Sequence, residues 1–141
     1  MKNNYWLIKE EPTKYSYNDL VNDKKTVWDG VENNLALKHI RKILKGDDLL
    51  YYHTGKEKSI IGIAKVIRGS YSDPNKDDKK FAVFDIKPVK KLTRSVTLKE
   101  IKSNIFFNDF DLVRIPRLSV MPVTKEYWSE IIKLSNKKYD V

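Results

Sequence analysis

An α+β domain whose sheet curls into a small barrel is the fold this sequence predicts, and three observations predict it. Short apolar, β-rich runs alternate with capped amphipathic stretches in the order strand, helix, helix, three strands, edge strand, helix. The chain has 141 residues, which suits a single domain over 1–141 with one core and is too short for two large ones. The strongest strand signal, over 60–68, carries Gly62 and Ala64 two apart on one face. Small side chains there let another element approach closely or let the sheet coil tightly.

Taken in order, Tyr5-Trp6-Leu7-Ile8 reads as a buried strand ending at Lys9, and Glu11-Pro12 breaks it. Ser16 with Asp19 three residues on matches a capping box and opens a short helix through about Val21. A polar loop over 22–25 follows, then the stretch around Trp28-Asp29-Gly30. Residues 34–45 read as a helix with Ala36, Ile40, Ile43 and Leu44 on one stripe. Lys38, Arg41, Lys42 and Lys45 fall on its other side, and Gly46 suits the C-terminal cap. Residues 48–53 form a strand, 69–80 a loop and 81–89 a further strand. Thr97 with Glu100 is a second capping box. Residues 105–112 read as turns on the core. Pro116 and Pro122 confine 113–123 to a short or edge strand. Thr124 caps a last helix with Trp128, Ile131 and Ile132 buried, and 136–141 reads as a frayed tail.

Composition narrows the function. There are 28 Lys+Arg against 19 Asp+Glu, a net charge of +9, which favours polyanions: nucleic acid first, an acidic membrane surface second. No apolar run approaches the roughly 18 residues needed to span a bilayer. Without cysteine there is neither disulfide nor thiolate chemistry, and the start of the chain lacks the features of a signal peptide. The expected location is cytoplasmic. Two histidines, His39 and His53, are not at a ligand spacing, so no metal is expected. Five scattered glycines form no phosphate loop, so no nucleotide cofactor is expected either. Ser119, His53 and an aspartate make only an imaginable triad, with no nucleophile elbow. The pairs Glu10-Glu11 and Asp47-Asp48 read as surface features.

Trp28 beside the turn dipeptide Asp29-Gly30 supports two readings. The ring can cap the core, as aromatics do. It can also wall a site for a planar ligand, with Trp6, Tyr52 and Tyr71 as further aromatics near polar loops. Bases stack on such faces while Lys and Arg hold phosphates.

The ordered segments resemble the EVE domain family. Tyr5-Trp6-Leu7-Ile8-Lys9 with Glu11-Pro12 and Tyr15-Ser16-Tyr17 is similar to its opening, and Trp28-Asp29-Gly30-Val31 with Asn33 to its most distinctive motif. Gly46-Asp47, Tyr51-Tyr52-His53-Thr54, Ile61-Gly62-Ile63-Ala64 and Tyr71 with Asp73-Pro74 follow in order. The match closes with 117–123 and Trp128, so the resemblance covers about residues 5–134.

This resemblance implies a PUA-like fold, a small curled mixed barrel flanked by short helices. It also implies a non-catalytic reader of modified bases, chiefly modified cytosines in DNA, with RNA as the second substrate. Carried over by position, Trp28 is the stacking wall, with Asp29, Gly30, Val31 and Asn33 at its rim. Lys9, at the end of the first strand, meets a phosphate or base edge, and Tyr52 and His53 lie at the end of the second strand. Tyr71, Asp73 and Pro74 form a facing wall, and Arg117, Leu118 and Ser119 close the base of the pocket. The basic face of Lys38, Arg41, Lys42 and Lys45 takes phosphates. Glu32 and Leu37 stand where the family more often has arginines, and Phe81 lies near a common tryptophan, which leaves the ligand more open than the fold. Two other readings stand beside this one: a small-molecule site or enzyme using the same pocket, and an RNA-processing helper that binds structured RNA by charge and shape.

Overall fold

The computed structural model describes residues 4–137. The expected tail therefore lies largely outside the described residues. In chain order the elements are β1 (Tyr5–Glu10), α1 (Tyr17–Asp23), β2 (Thr26–Trp28), α2 (Asn34–Ile40), β3 (Asp48–His53), β4 (Ser59–Ser72) and β5 (Ala82–Thr97). These are followed by α3 (Leu98–Lys102), a 3-10 turn (Ile105–Phe107), α4 (Asp111–Arg114), β6 (Val120–Val123) and α5 (Lys125–Ser135). One mixed sheet has the order β2-β5-β4-β3-β1-β6. The β1–β3 pair is parallel and the other pairings are antiparallel.

The expected barrel is a curled but open sheet. Its curl is visible in one contact: Trp28 of β2 packs edge-on against Tyr51 of β3, with ring centroids 5.4 Å apart, although β5 and β4 separate their strands in the sheet. Closure would need the outer strands to pair. β2 has three residues and β6 has four, one of them Pro122, which brings no donor.

The small residues on β4 do what their spacing predicts. A Cβ on Gly62 would stand 2.5 Å from Cζ of the buried Tyr17 ring, so only glycine fits beneath it. Tyr17 is fixed there by its hydroxyl, which donates to the Ile63 carbonyl at 2.7 Å. Both capping boxes form as read, at Ser16–Asp19 and at Thr97–Glu100.

Helix α2 ends at Ile40, five residues short of the 34–45 span read from the sequence. Tight turns replace the helical ladder: Lys42 N–H donates to His39 and Ile43 N–H to Ile40. The carboxylate of Asp47 then takes the N–H of Leu44 at 2.9 Å, and Leu44 itself is 60% exposed. Gly46, with φ 94°, caps no helix and donates instead to the Val66 carbonyl. The buried stripe of α2 is Ala36, Leu37 and Ile40.

Asp47 is likewise no surface feature, being 2% exposed. The strands β4 and β5 run well past the spans read from the sequence. They include Tyr71 within β4, and four residues of β5, 92–95, bulge out opposite the Ile60/Gly62 step. Among the described helices none is long and apolar enough to cross a membrane.

Candidate functional site

Trp28 ends β2 where Gly30 (φ 78°) turns the chain towards α2. A Cβ added to Gly30 would meet nothing within 4 Å, so glycine is required here by its dihedral, and the backbone stays open to a ligand. Trp28 lines a recess of about 190 Å³ together with Glu10, Lys14, Tyr15, Thr26, Val27 and Asp29. Trp28 is 6% exposed and belongs to the core cluster, so the residue packs the core while it lines the recess. Behind it, the Tyr51 hydroxyl donates to the Tyr15 carbonyl at 2.6 Å and ties the recess loop to β3. Tyr15 donates in turn to the Asp23 carboxylate at 2.7 Å. Burial, then that acceptor, raises the Tyr15 pKa. Two carboxylates, Glu10 and Asp29, and one amine, Lys14, face this space. It is thus rich in acceptors rather than cationic.

Glu10, Lys14 and Tyr15 were not among the expected rim residues. They come from the end of β1 and the loop after it, which the Tyr51–Tyr15 and Tyr15–Asp23 bonds hold in place. No periodicity signals this. Of the expected rim, Asp29 is exposed and Val31 is half-buried against the core. Asn33 caps α2, its side-chain oxygen accepting from Ala36 N–H at 2.9 Å.

A second group gathers at Lys9. Its backbone N–H donates to Ser119, its Nζ donates to the Pro116 carbonyl at 2.8 Å, and the ammonium stands 5.4 Å from the centroid of the buried Tyr52 ring. Leu118 is buried beneath this loop and Arg117 is exposed on it. Burial pushes the Tyr52 hydroxyl up to about 12 and the Lys9 ammonium down to about 8.

The sign of the linkage follows for Lys9. Between its folded value and the ordinary lysine value of 10.5 the unfolded chain binds more protons, so the cost of burying this charge is relieved as pH rises through that window. Wild type should therefore gain stability relative to a Lys9→Met variant between pH 7 and pH 10. Thermal midpoints of the pair across that range check this, and a constant difference between them would refute it.

His53 is 5% exposed, and both ring nitrogens are engaged. Nε2 accepts from Tyr17 N–H at 3.0 Å, which places the proton on Nδ1, 2.9 Å from the Glu57 carboxylate. A ligand could reach His53 only by breaking one of these bonds.

Tyr71, Asp73 and Pro74 are not brought opposite Trp28. The Tyr71 hydroxyl donates to Asp85 at 2.6 Å, and Asp85 is the register partner of the exposed Val27, on the face of the sheet away from Trp28. The Arg68 guanidinium stacks on the Tyr71 ring, 3.5 Å from its centroid. Asp73 is buried in a turn, where its carboxylate accepts from Asn75 N–H at 2.9 Å, and Pro74 is exposed beside it.

Lys38, Arg41, Lys42 and Lys45 are all exposed along α2 and the turns that follow it. Leu37, where the resemblance suggests an arginine, is fully buried, while Glu32 is exposed. Among the described residues no group of three or more His, Asp or Glu could hold a metal ion.

Comparison with known proteins gives a consistent result. The family model described as the EVE domain matches residues 4–134. Thymocyte nuclear protein 1 of Rattus norvegicus is 29% identical over 165 residues, spanning 93% of this chain and 73% of the relative. A Rhodopseudomonas palustris protein solved by NMR is 39% identical with a TM-score of 0.89, over 94% of this chain and 92% of that one. Human THYN1, crystallised in complex with DNA containing 5-methylcytosine, is 26% identical with a TM-score of 0.87, over 97% of this chain and 100% of that one.

Proposed function

This chain belongs to the EVE domain family, and from that premise we propose that it is a non-catalytic module that binds DNA and holds one base, a modified cytosine, in the Trp28 recess. The observation that carries the reading is the recess itself: two aromatic residues, Trp28 and Tyr15, and two carboxylates around about 190 Å³, with the open turn at Gly30 next along the chain. Pockets for whole small molecules run from about 300 Å³ upward, so this space suits a single heterocycle better than a free nucleotide cofactor. Glu and Asp accept from the exocyclic amine of cytosine, and Glu10 and Asp29 are the acceptors available here. A base reaching the recess must leave the stack, with the ring of Trp28 replacing part of the stacking it loses.

The DNA in the human THYN1 complex supports the same substrate class. Lys38, Arg41, Lys42 and Lys45, all exposed, supply phosphate contacts outside the recess, and Lys9 with Arg117 supplies a cationic rim near Ser119. A catalytic use of His53 finds no support, because the bonds to Tyr17 and Glu57 leave it no nitrogen to act on a serine.

The test is a titration of matched DNA and RNA oligomers, with and without cytosine or adenine modifications, at one salt concentration. Modified-cytosine DNA should bind tighter than the unmodified strand by about 1 kcal/mol, the worth of burying one added methyl-sized group. Equal binding of modified and unmodified strands would defeat the base-reading proposal. A preference for RNA would transfer it to the other polymer.

A further inference from the structure

The basic side of α2 does not stop at Lys45. The loop between β4 and β5, residues 73–81, is docked against it. The Arg41 guanidinium donates through Nη2 to the Lys80 carbonyl at 3.0 Å. The root of the loop is seated as tightly: Ser70 N–H donates to the Ile43 carbonyl, and a Cβ on Gly69 would stand 3.1 Å from that same oxygen. Within the loop, the ammonium groups of Lys76 and Lys80 lie 5.5 and 5.2 Å from the centroid of one ring, Phe81. Ser72 donates to the Lys79 carbonyl, and Asp78 accepts from Lys80 N–H, so the hairpin end has a defined shape.

Cations held beside one another cost energy through mutual repulsion, and an anion relieves that cost. The loop carries three acids, Asp73, Asp77 and Asp78, against Lys76, Lys79 and Lys80, and the ion pair that Asp78 makes with Lys80 relieves it little. Asp78 reaches Lys80 only at 4.0 Å, both groups are half-exposed, and such surface pairs are worth little. Phe81 meanwhile fixes where two ammonium groups point, which lowers the entropy lost when they meet a ligand.

We infer that the 76–80 segment is a phosphate clamp, stapled to α2 by Arg41, so that Lys76 and Lys80 extend the surface of Lys38, Lys42 and Lys45 into one track for a nucleic-acid backbone. The inference rests on the DNA-binding reading and adds to it a second, sequence-independent grip away from the base recess.

The experiment measures the salt dependence of binding to an unmodified DNA duplex. It compares wild type, the double variant Lys76→Gln/Lys80→Gln, and Lys99→Gln/Lys102→Gln, which removes two exposed cations from α3. Each phosphate contact contributes about 0.9 to the slope of log K against log salt. The loop variant should lose about 1.8 of slope, so that wild-type affinity falls about tenfold further than the variant's between 50 and 200 mM salt. The α3 variant should keep the wild-type slope. A loop variant with the wild-type slope, or an α3 variant with an equal loss, would overturn the clamp and leave DNA binding standing. Wild type that binds no duplex would remove the DNA-binding reading, and the clamp with it. Thermal midpoints equal to wild type establish that both variants are folded.

Discussion

Trp28→Ala should remove any preference for a modified base and weaken the fold together. The indole is 6% exposed and packs edge-on against Tyr51 at 5.4 Å, so deleting it opens a cavity as well as unwalling the recess. Large aromatic truncations of this kind cost about 3–5 kcal/mol, a large share of the roughly 5–15 kcal/mol that holds a domain together. The expected fall in thermal midpoint is on the order of 10 °C. The alanine variant alone cannot separate stacking from packing, because lost structure and lost recognition would arrive together. Trp28→Leu separates them: it refills part of the volume with apolar atoms but offers no flat π face to a base. A folded leucine variant should bind unmodified DNA with the wild-type salt slope and show no preference for the modified strand. If it discriminates as wild type does, Trp28 is core alone and the base is read elsewhere.

That double role explains how much of the site was legible in the sequence. Trp28 and Gly30 could be singled out because a tryptophan beside a turn dipeptide is a local signal. Their partners Glu10, Lys14 and Tyr15 could not, because long-range contacts bring them there: the β1–β3 register for Glu10, and for the loop the bond from Tyr51, thirty-six positions along the chain from Tyr15, with that of Tyr15 to Asp23. Tyr71 was misplaced for a related reason. Read as part of a loop, its side chain is free to face Trp28, but β4 runs to Ser72, and the pleat sends the ring to the other face of the sheet.

The fold shows the same division. Two capping boxes were exact because both partners lie within three residues, and Gly62 was informative because an absent side chain marks a crowded spot. β2 went unread since its three residues become a strand only by pairing with β5. The end of α2 was overrun because the apolar stripe continues to Leu44, whereas tight turns follow Ile40 and the Leu44 N–H goes to an aspartate beyond them.

That aspartate carries the second large effect. Oδ2 of Asp47 accepts from the Trp6 indole N–H and from Leu44 N–H, each at 2.9 Å, and Oδ1 accepts from Asn4 N–H at 3.1 Å. One carboxylate therefore ties the start of β1, the ring on β1 and the turn ahead of β3. Asp47→Ala removes both acceptor oxygens and with them all three hydrogen bonds. Each donor left buried without a partner costs about 1–3 kcal/mol, and hydration of the partly exposed Asn4 N–H offsets part of that. The expected loss is about 3–5 kcal/mol, comparable to removing Trp28 although Asp47 lines no part of the recess. Asp47→Asn keeps one oxygen, enough for the two donors on Oδ2 if the amide nitrogen turns towards Asn4, and should cost less than half as much. The Trp6 indole proton reports on this directly by NMR: slow exchange with solvent in wild type, intermediate in the asparagine variant, fast in the alanine variant. An alanine variant with the wild-type midpoint and a protected indole proton would show that the carboxylate anchors nothing. The functional consequence runs along β1, whose far end carries Lys9 and Glu10 in parallel register with Tyr52 and His53. A strand that loosens at Asn4 is freer to slip, and a slip of one residue turns Lys9 to the opposite face. Base discrimination should therefore fall in Asp47→Ala and persist in Asp47→Asn, in proportion to how well the indole proton stays protected.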